Sequence, residues 1–206
     1  MKLTVTTFLS LDGVMQGPGG PEEDPSDGFD LGGWLVPFAD EDMNRYVTAW
    51  FDTVDAFLLG RRTYQIFEAY WPHVTGEDDP VASKLNSLPK YVATTTLDSA
   101  DWAGTTLLKG DIVKEITELK SRPGRDLQVH GSAGLIQTLI ENDLVDEYRI
   151  FVYPVLLGRG KRLFGSGTVP AALRHVDTRT TGAGVTVHTY ERSGGLEFGS
   201  FALDAE

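Results

Sequence analysis

A strand that runs straight into a glycine turn and out into a helix restricts the folds open to a chain, and this sequence contains that junction twice. Between Leu127 and Ile140 (LQVHGSAGLIQTLI) a short apolar run stops at Gly131, after which Leu135, Ile136, Leu139 and Ile140 recur at helical spacing. Ser132 is the expected N-cap, and the first-turn amides then point back toward the strand's end, which makes an anion site. Gly131 and Gly134 keep side chains away, so a diphosphate could approach the main chain closely. Ala56 to Leu59 (AFLL) ends in the same way at Gly60-Arg61-Arg62-Thr63, before Tyr64, Ile66 and Phe67 open another helix. Two such helix starts suit one extended phosphorylated ligand.

The rest of the chain fills in around these junctions. Lys2 to Leu9 alternates as a first strand, and Ser10-Leu11-Asp12-Gly13 turns the chain. Val14 to Asp40 is irregular and rich in glycine and proline, and loops of that length are usually lids or unstructured insertions. Gly19 to Asp30 reads equally as a solvated acidic insertion. Leu31-Gly32-Gly33-Trp34-Leu35 is too apolar for a solvated tail; a lid over Leu31 to Phe38 would set Trp34 on the substrate, whereas the rival reading packs Trp34 against the following helix. Asp40 or Asp42 caps that helix, which runs to Phe51 with Met43, Val47 and Trp50 on one face.

Tyr70 to His73 turns, a polar loop continues through Asp79, and Val81 to Leu88 is a short helix ended by Pro89. Tyr91-Val92-Ala93 is a strand running into Thr94-Thr95-Thr96, Thr105 to Leu108 is another, and Ile112, Ile116 and Leu119 space a helix stopped by Pro123-Gly124. Strands alternate with helices as far as Glu141, the pattern of a mostly parallel sheet with helices on both faces. Asp146 to Pro154, Ala172 to Thr180 and Val185 to Arg192 then follow as consecutive strands, with a glycine-rich loop at Gly158 to Gly167 and a hairpin turn at Thr181-Gly182-Ala183-Gly184. The expected fold is therefore α/β with antiparallel C-terminal strands, in a single domain over residues 1–206.

Composition narrows function by exclusion. Thirty acidic against 18 basic residues give a net charge of -12, which leaves no basic surface for nucleic acid or an anionic membrane. The lack of cysteine removes a disulfide frame, a thiolate metal site and a cysteine nucleophile. No apolar run approaches the ~20 residues of a membrane helix, and MKLTVTTFLSLDG is too short and polar for a signal sequence, so a cytoplasmic location is expected. His73, His130, His175 and His188 stand at no ligand spacing, and no catalytic metal is expected. A G-x-G-x-x-G after the first strand, a Walker A motif and a G-x-S-x-G elbow are all missing.

In order and spacing, the first strand with Ser10-Leu11-Asp12-Gly13, then LLGRRTY, YVATTT, VHGSAGL and DEYRIFVYPVLLGRGKRLF resemble the dihydrofolate reductase-like family. The nearer likeness is to the riboflavin-biosynthesis reductase domain, the RibD C-terminal domain, and its stand-alone relatives. The resemblance implies an NADPH-dependent oxidoreductase with a dihydrofolate reductase-like fold. Gly60, Arg61, Arg62 and Thr63 would hold the dinucleotide phosphates, Thr94 and Thr95 the adenosine ribose and its 2'-phosphate, and Gly131, Ser132, Ala133 and Gly134 the diphosphate. Met15 and Gln16 would lie beside the nicotinamide. Many relatives carry two successive glycines where this chain has Gly131-Ser132, which offers no ground for an unusual peptide geometry there. The position that carries a proton-donating carboxylate in dihydrofolate reductase proper falls on Asn44, which cannot supply a proton.

The chemistry so implied is hydride transfer to a small heteroaromatic, pterin- or pyrimidine-like, or carbonyl substrate. Trp34 and Asn44 are its candidate substrate contacts. The proton would come from water or from Asp12, although an aspartate in such a turn also serves as a backbone cap. His130 lies either by the nicotinamide or in the core. Two rival functions remain open: the riboflavin-pathway reductase of 5-amino-6-(5-phosphoribosylamino)uracil, with Lys161-Arg162 as cations for its phosphate, and a non-catalytic dinucleotide- or pterin-binding protein. Apolar strands at Tyr148 to Val152 and Val185 to Tyr190 leave an edge to cover, and relatives tend to dimerise, so a homodimer is expected.

Overall fold

Strand β1 (Lys2–Ser10) is buried along nearly its whole length, with Leu3 and Val5 alternating against Thr4 and Thr6, which places it inside a sheet. The computed structural model describes residues 1–74, 79–165 and 168–201. After β1 come α1 (Glu41–Phe51), β2 (Val54–Gly60), α2 (Arg61–Tyr70), α3 (Pro80–Ser87), β3 (Lys90–Ala93), β4 (Thr105–Leu108) and α4 (Ile112–Ser121). Then follow β5 (Asp126–Val129), α5 (Ala133–Glu141), β6 (Glu147–Tyr153), β7 (Leu173–Thr180) and β8 (Thr186–Arg192). Among the described residues these strands form one sheet in the order β4-β3-β2-β5-β1-β6-β8-β7. Every pairing is parallel from β4 across to β6, and only β8 runs antiparallel to its neighbours β6 and β7. The expected α/β architecture is present.

Alternation along β2 shows why helices cover both faces. Ala56 and Leu58 pack with Ile116 and Leu119 of α4 and with Ile136 and Leu139 of α5. Phe57 and Leu59 point the other way, to Phe51 of α1, Tyr64 of α2 and Leu85 of α3. Asp40 caps α1, its carboxylate accepting from the Met43 amide at 2.8 Å, while Asp42 pairs with Arg45 at 2.6 Å. Asp79 caps α3, which begins at Pro80, one residue earlier than the apolar spacing suggested. The polar loop expected before it, and the end of the glycine-rich loop, fall on residues 75–78 and 166–167, outside the described residues. None of the described helices is long and apolar enough to cross a membrane.

In the segment between β1 and α1, residues 19–30 are mostly exposed, in keeping with a solvated insertion, whereas Leu31, Trp34, Leu35 and Phe38 take the rival arrangement, packed into the core, and form no free lid. Gly33 donates to the Gly17 carbonyl at 2.8 Å and Leu35 to that of Pro18 at 3.1 Å, folding the segment on itself. Gly32 comes so near Pro21 that a Cβ there would lie 2.8 Å from its carbonyl oxygen. Phe29, Trp34 and Leu35 are buried with Phe151 and Tyr153 of β6 and Val187 of β8. Trp34 is only 8% exposed. Its indole nitrogen donates to the Gln16 carbonyl at 2.9 Å, and its ring meets Tyr153 edge-on at 5.4 Å. The apolar surface that suggested a lid is satisfied by β6 and α1, and Trp34 is a core residue.

Candidate functional site

The parallel strands β2, β3 and β5 end on one side of the sheet, and a cleft of about 640 Å³ opens over those ends. Both glycine junctions reach it, as expected for ligands bound beyond the carboxyl ends of parallel strands. At the first, β2 passes directly into α2, and Gly60 has an ordinary extended conformation (φ -79°, ψ 160°). Glycine is needed there for closeness: a Cβ would lie 2.6 Å from Ser132 Cβ and nearer still to its hydroxyl. At the second, Gly131 has φ +117°, open to glycine alone, and the Gly131–Ser132 peptide is cis, so that geometry arises without a second glycine. The two turns are clasped by side chains. The Ser132 hydroxyl is 3.0 Å from that of Thr63 and accepts from the Thr63 amide at 3.4 Å. Ser132 therefore makes no capping bond to α5, contrary to its expected role; its hydroxyl is taken by the other turn.

Gly134 faces open space, and the first-turn amides of α2 and α5 stand at the cleft, so main chain is accessible to an anion at both junctions. Thr94 is buried and its hydroxyl accepts from the amides of Thr96 and Leu97 at 3.2 and 3.0 Å, which shapes the turn after β3. Thr95 and Thr96 are exposed on the same wall, and Arg61 donates to the Thr96 hydroxyl at 2.8 Å. Arg61, Thr94, Thr95 and the two glycine turns thus come together on one side of the cleft.

The opposite wall belongs to the segment after β1. Met15 lines it, and Gln16 is a buried hub. The Gln16 amide nitrogen donates to the carbonyls of Asp24 and Ser26, both at 3.0 Å, and its side-chain oxygen accepts from the Lys161 amide at 3.0 Å. With both ends of its side chain engaged, Gln16 shapes the wall. Arg62 leans across from α2 to Asp24 at 3.1 Å, and Lys161 reaches the same carboxylate at 2.5 Å. Glu23, Asp24 and Asp27 also line the cleft, and sequence reasoning missed all of them, having assigned them to an insertion. The available signal was Lys161, a cation in a glycine-rich loop that an acidic loop could meet.

His130 borders the cleft among Phe51, Phe57 and Phe67, with ring centroids 5.2, 5.8 and 6.3 Å away. Burial, and secondarily the charge of Arg149, push its pKa down to about 4. Gln128 donates through its nitrogen to the Trp50 carbonyl at 2.6 Å, so its oxygen is left to accept from His130 Nε2 at 3.0 Å. His130 is a neutral imidazole protonated on Nε2.

Three sequence candidates lie elsewhere. Asp12 does not line the cleft. Its carboxylate accepts from the Ser10 hydroxyl at 2.7 Å and the amides of Leu157 and Gly158 at 3.0 and 2.8 Å, and it faces Arg162. Led by the Leu157 amide, these bonds hold its pKa down at about 2, so it is an ionised turn cap and no proton donor near neutrality. Asn44 is exposed on the outer side of α1, because Met43 and Val47 turn the inner side toward β6 and each residue rotates the helix by roughly 100°. Trp34, in the core, does not line the cleft either. Among the described residues no three His, Asp or Glu side chains gather as metal ligands.

Residues 1–187 match the family described as the RibD C-terminal domain. The YyaP protein of Bacillus subtilis (strain 168) is 31% identical over 198 residues, covering 94% of this chain and 96% of its own. Among solved structures, a candidate riboflavin biosynthesis protein from Shewanella sp. PV-4 superposes with a TM-score of 0.67 at 23% identity, covering 94% of this chain and 99% of that one. The Enterococcus faecalis dihydrofolate reductase complexed with NADP(H) gives 0.58 at 14%, covering 93% and 96%. A deaminase/5-amino-6-(5-phosphoribosylamino)uracil reductase from Thermotoga maritima gives 0.61 at 13%, covering 93% of this chain and 56% of its own. The fold is dihydrofolate reductase-like.

Proposed function

Because the chain belongs to the RibD C-terminal domain family, we propose that it is an NADPH-dependent reductase that transfers hydride to a small heteroaromatic or carbonyl acceptor. The observation that carries this reading is the clasp between the two glycine turns, which aims two helix N-termini into one cleft beside Arg61. The cradle fits a dinucleotide: side chains are missing at Gly60, Gly131 and Gly134, where a diphosphate needs main-chain amides, and Arg61 with Thr94 and Thr95 offers one cation and hydroxyls to a ribose phosphate. When bound, NADPH supplies the hydride.

The chain's own residues position and desolvate. Gly60 to Thr63 and Gly131 to Gly134 would grip the diphosphate, and Met15 and Gln16 would form the wall beside the reacting ring. Phe8 and Phe67, which also line the cleft, would exclude water from it. With Asp12 outside the cleft and His130 neutral, the proton would come from solvent. The same two facts favour a second reading, a binding protein without turnover.

Titrating NADPH and NADH, followed by steady-state NADPH oxidation against pyrimidine, pterin and carbonyl acceptors, separates the readings. Binding with turnover supports the reductase, binding without turnover the second reading, and no binding of either nucleotide refutes both. We further propose that the enzyme acts in the cytoplasm as a homodimer. The strands expected to need cover, β6 and β8, lie inside the sheet; the edge is instead β7, exposed along almost its whole length with Leu173 and Val176 uncovered, and a second copy would shield it.

A further inference from the structure

Charge is unevenly distributed along the cleft, and this bears on what the acceptor can be. On the Thr94 side, Arg61 is held by the Thr96 hydroxyl at 2.8 Å, a neutral partner that leaves its charge available to an anion. On the side formed by the segment after β1, both cations are paired with one carboxylate. Asp24 Oδ2 accepts from Lys161 Nζ at 2.5 Å and Oδ1 from Arg62 at 3.1 Å. The Ser26 hydroxyl closes the group, donating to Asp24 Oδ1 at 2.5 Å and accepting from Lys161 and Arg62, each at 2.6 Å. That hydroxyl spends its one proton and both lone pairs within the cluster.

Asp24, Lys161 and Arg62 of this cluster line the cleft, with side chains 19%, 26% and 51% exposed. It is also held from behind, since Gln16 fixes the Asp24 and Ser26 carbonyls and the Lys161 amide. Glu23 and Asp27 line the same side, so Lys161 and Arg62 face an excess of carboxylates.

Building on the reductase reading, we propose that the hydride acceptor carries no phosphate, and that Asp24 is the specificity-determining residue that excludes one. A phosphate dianion would compete with Asp24 for both cations or else sit in a net negative field. Losing one charge-assisted bond lowers affinity about ten- to a hundredfold. A neutral planar acceptor bearing amino groups meets no such opposition and can donate N–H bonds to Glu23 and Asp27, with Asp24 left on its own cations. The phosphoribosylamino substrate in the name of the Thermotoga maritima neighbour is accordingly not this chain's acceptor.

The test compares 5-amino-6-ribosylaminouracil with its 5'-phosphate by calorimetry on the full chain, with and without saturating NADPH. Wild type is expected to bind the unphosphorylated compound at least as tightly as the phosphate. Asp24→Asn, which keeps the shape and frees the two cations, is expected to tighten the phosphate about ten- to a hundredfold and to leave the unphosphorylated compound little changed. A wild-type preference for the phosphate of about tenfold or more, or an Asp24→Asn ratio equal to that of wild type, overturns the proposal. The wild-type ratio decides alone if the variant misfolds. Failure of NADPH to bind refutes the cofactor reading separately, and the ratio measured without NADPH still judges Asp24.

Discussion

Replacing Trp34 tests whether the segment after β1 is part of the body of the protein or a lid over its cleft. The indole is 8% exposed, packs in a cluster with Phe29, Leu35, Phe151 and Tyr153, and donates to the carbonyl of Gln16, a residue itself 4% exposed. Trp34→Phe keeps an aromatic ring in the cluster but removes the donor, leaving that carbonyl unpaired at about 1–3 kcal/mol. Trp34→Ala removes the ring as well, at about 3–5 kcal/mol, a large part of the ~5–15 kcal/mol that stabilises a typical protein. At roughly 2–4 °C per kcal/mol for a chain of this length, the Phe variant melts about 2–12 °C below wild type and the Ala variant about 6–20 °C below. Calorimetry and urea denaturation read both, beside an NADPH titration of the folded variants. If both variants melt with wild type while the KM for an acceptor rises, the core assignment is wrong and Trp34 is a lid residue.

Arg61→Ala is expected to weaken NADPH about ten- to a hundredfold and to narrow the preference over NADH, whereas Arg62→Ala does less because Asp24 already holds that guanidinium; fluorescence titrations of both nucleotides check this, and equal effects refute it. Gly60→Ala pushes a methyl group into Ser132, costs about 1–3 kcal/mol of stability, and is expected to separate the turns and abolish NADPH binding, read by the same titration. His130 titrates near 4 when folded and near 6.5 when unfolded, so the unfolded chain takes up its proton first. Its stabilising contribution is complete above about pH 6.5 and is lost progressively toward pH 4, by about 3 kcal/mol at most. The difference between wild type and His130→Phe in urea midpoints across that window should show it, and a constant difference would refute it. Light scattering at micromolar concentration is expected to give twice the 22.5 kDa chain mass, and a monomer refutes the dimer.

The parts of the fold that could be read in the sequence are those governed by neighbours along the chain. Apolar period and glycine punctuation placed β2 with α2 and β5 with α5, because both signals act within a dozen residues. Ser132 shows the limit of that reasoning: a serine before a helix is a local cap by rule, yet its hydroxyl is taken by Thr63, 69 residues away. Trp34 likewise finds its burial against Tyr153, a partner that no local pattern could specify. In the cleft, the glycines and Arg61 were legible from turn chemistry. The Asp24–Lys161 pair was not, because it joins residues 137 positions apart in two segments without periodicity.

The place of β5 has a consequence for how the protein is made. This strand lies between β1 and β2 but follows both in sequence. When α4 has been made, β1 and β2 both exist but the strand that joins them does not, so each lacks the backbone partner it has in the finished sheet. Gly131 comes against Thr63 only when the late strand is in place, so the contact between the two glycine turns cannot form at any earlier stage of synthesis. The centre of the sheet is thus closed by a long-range pairing, the kind that forms slowly.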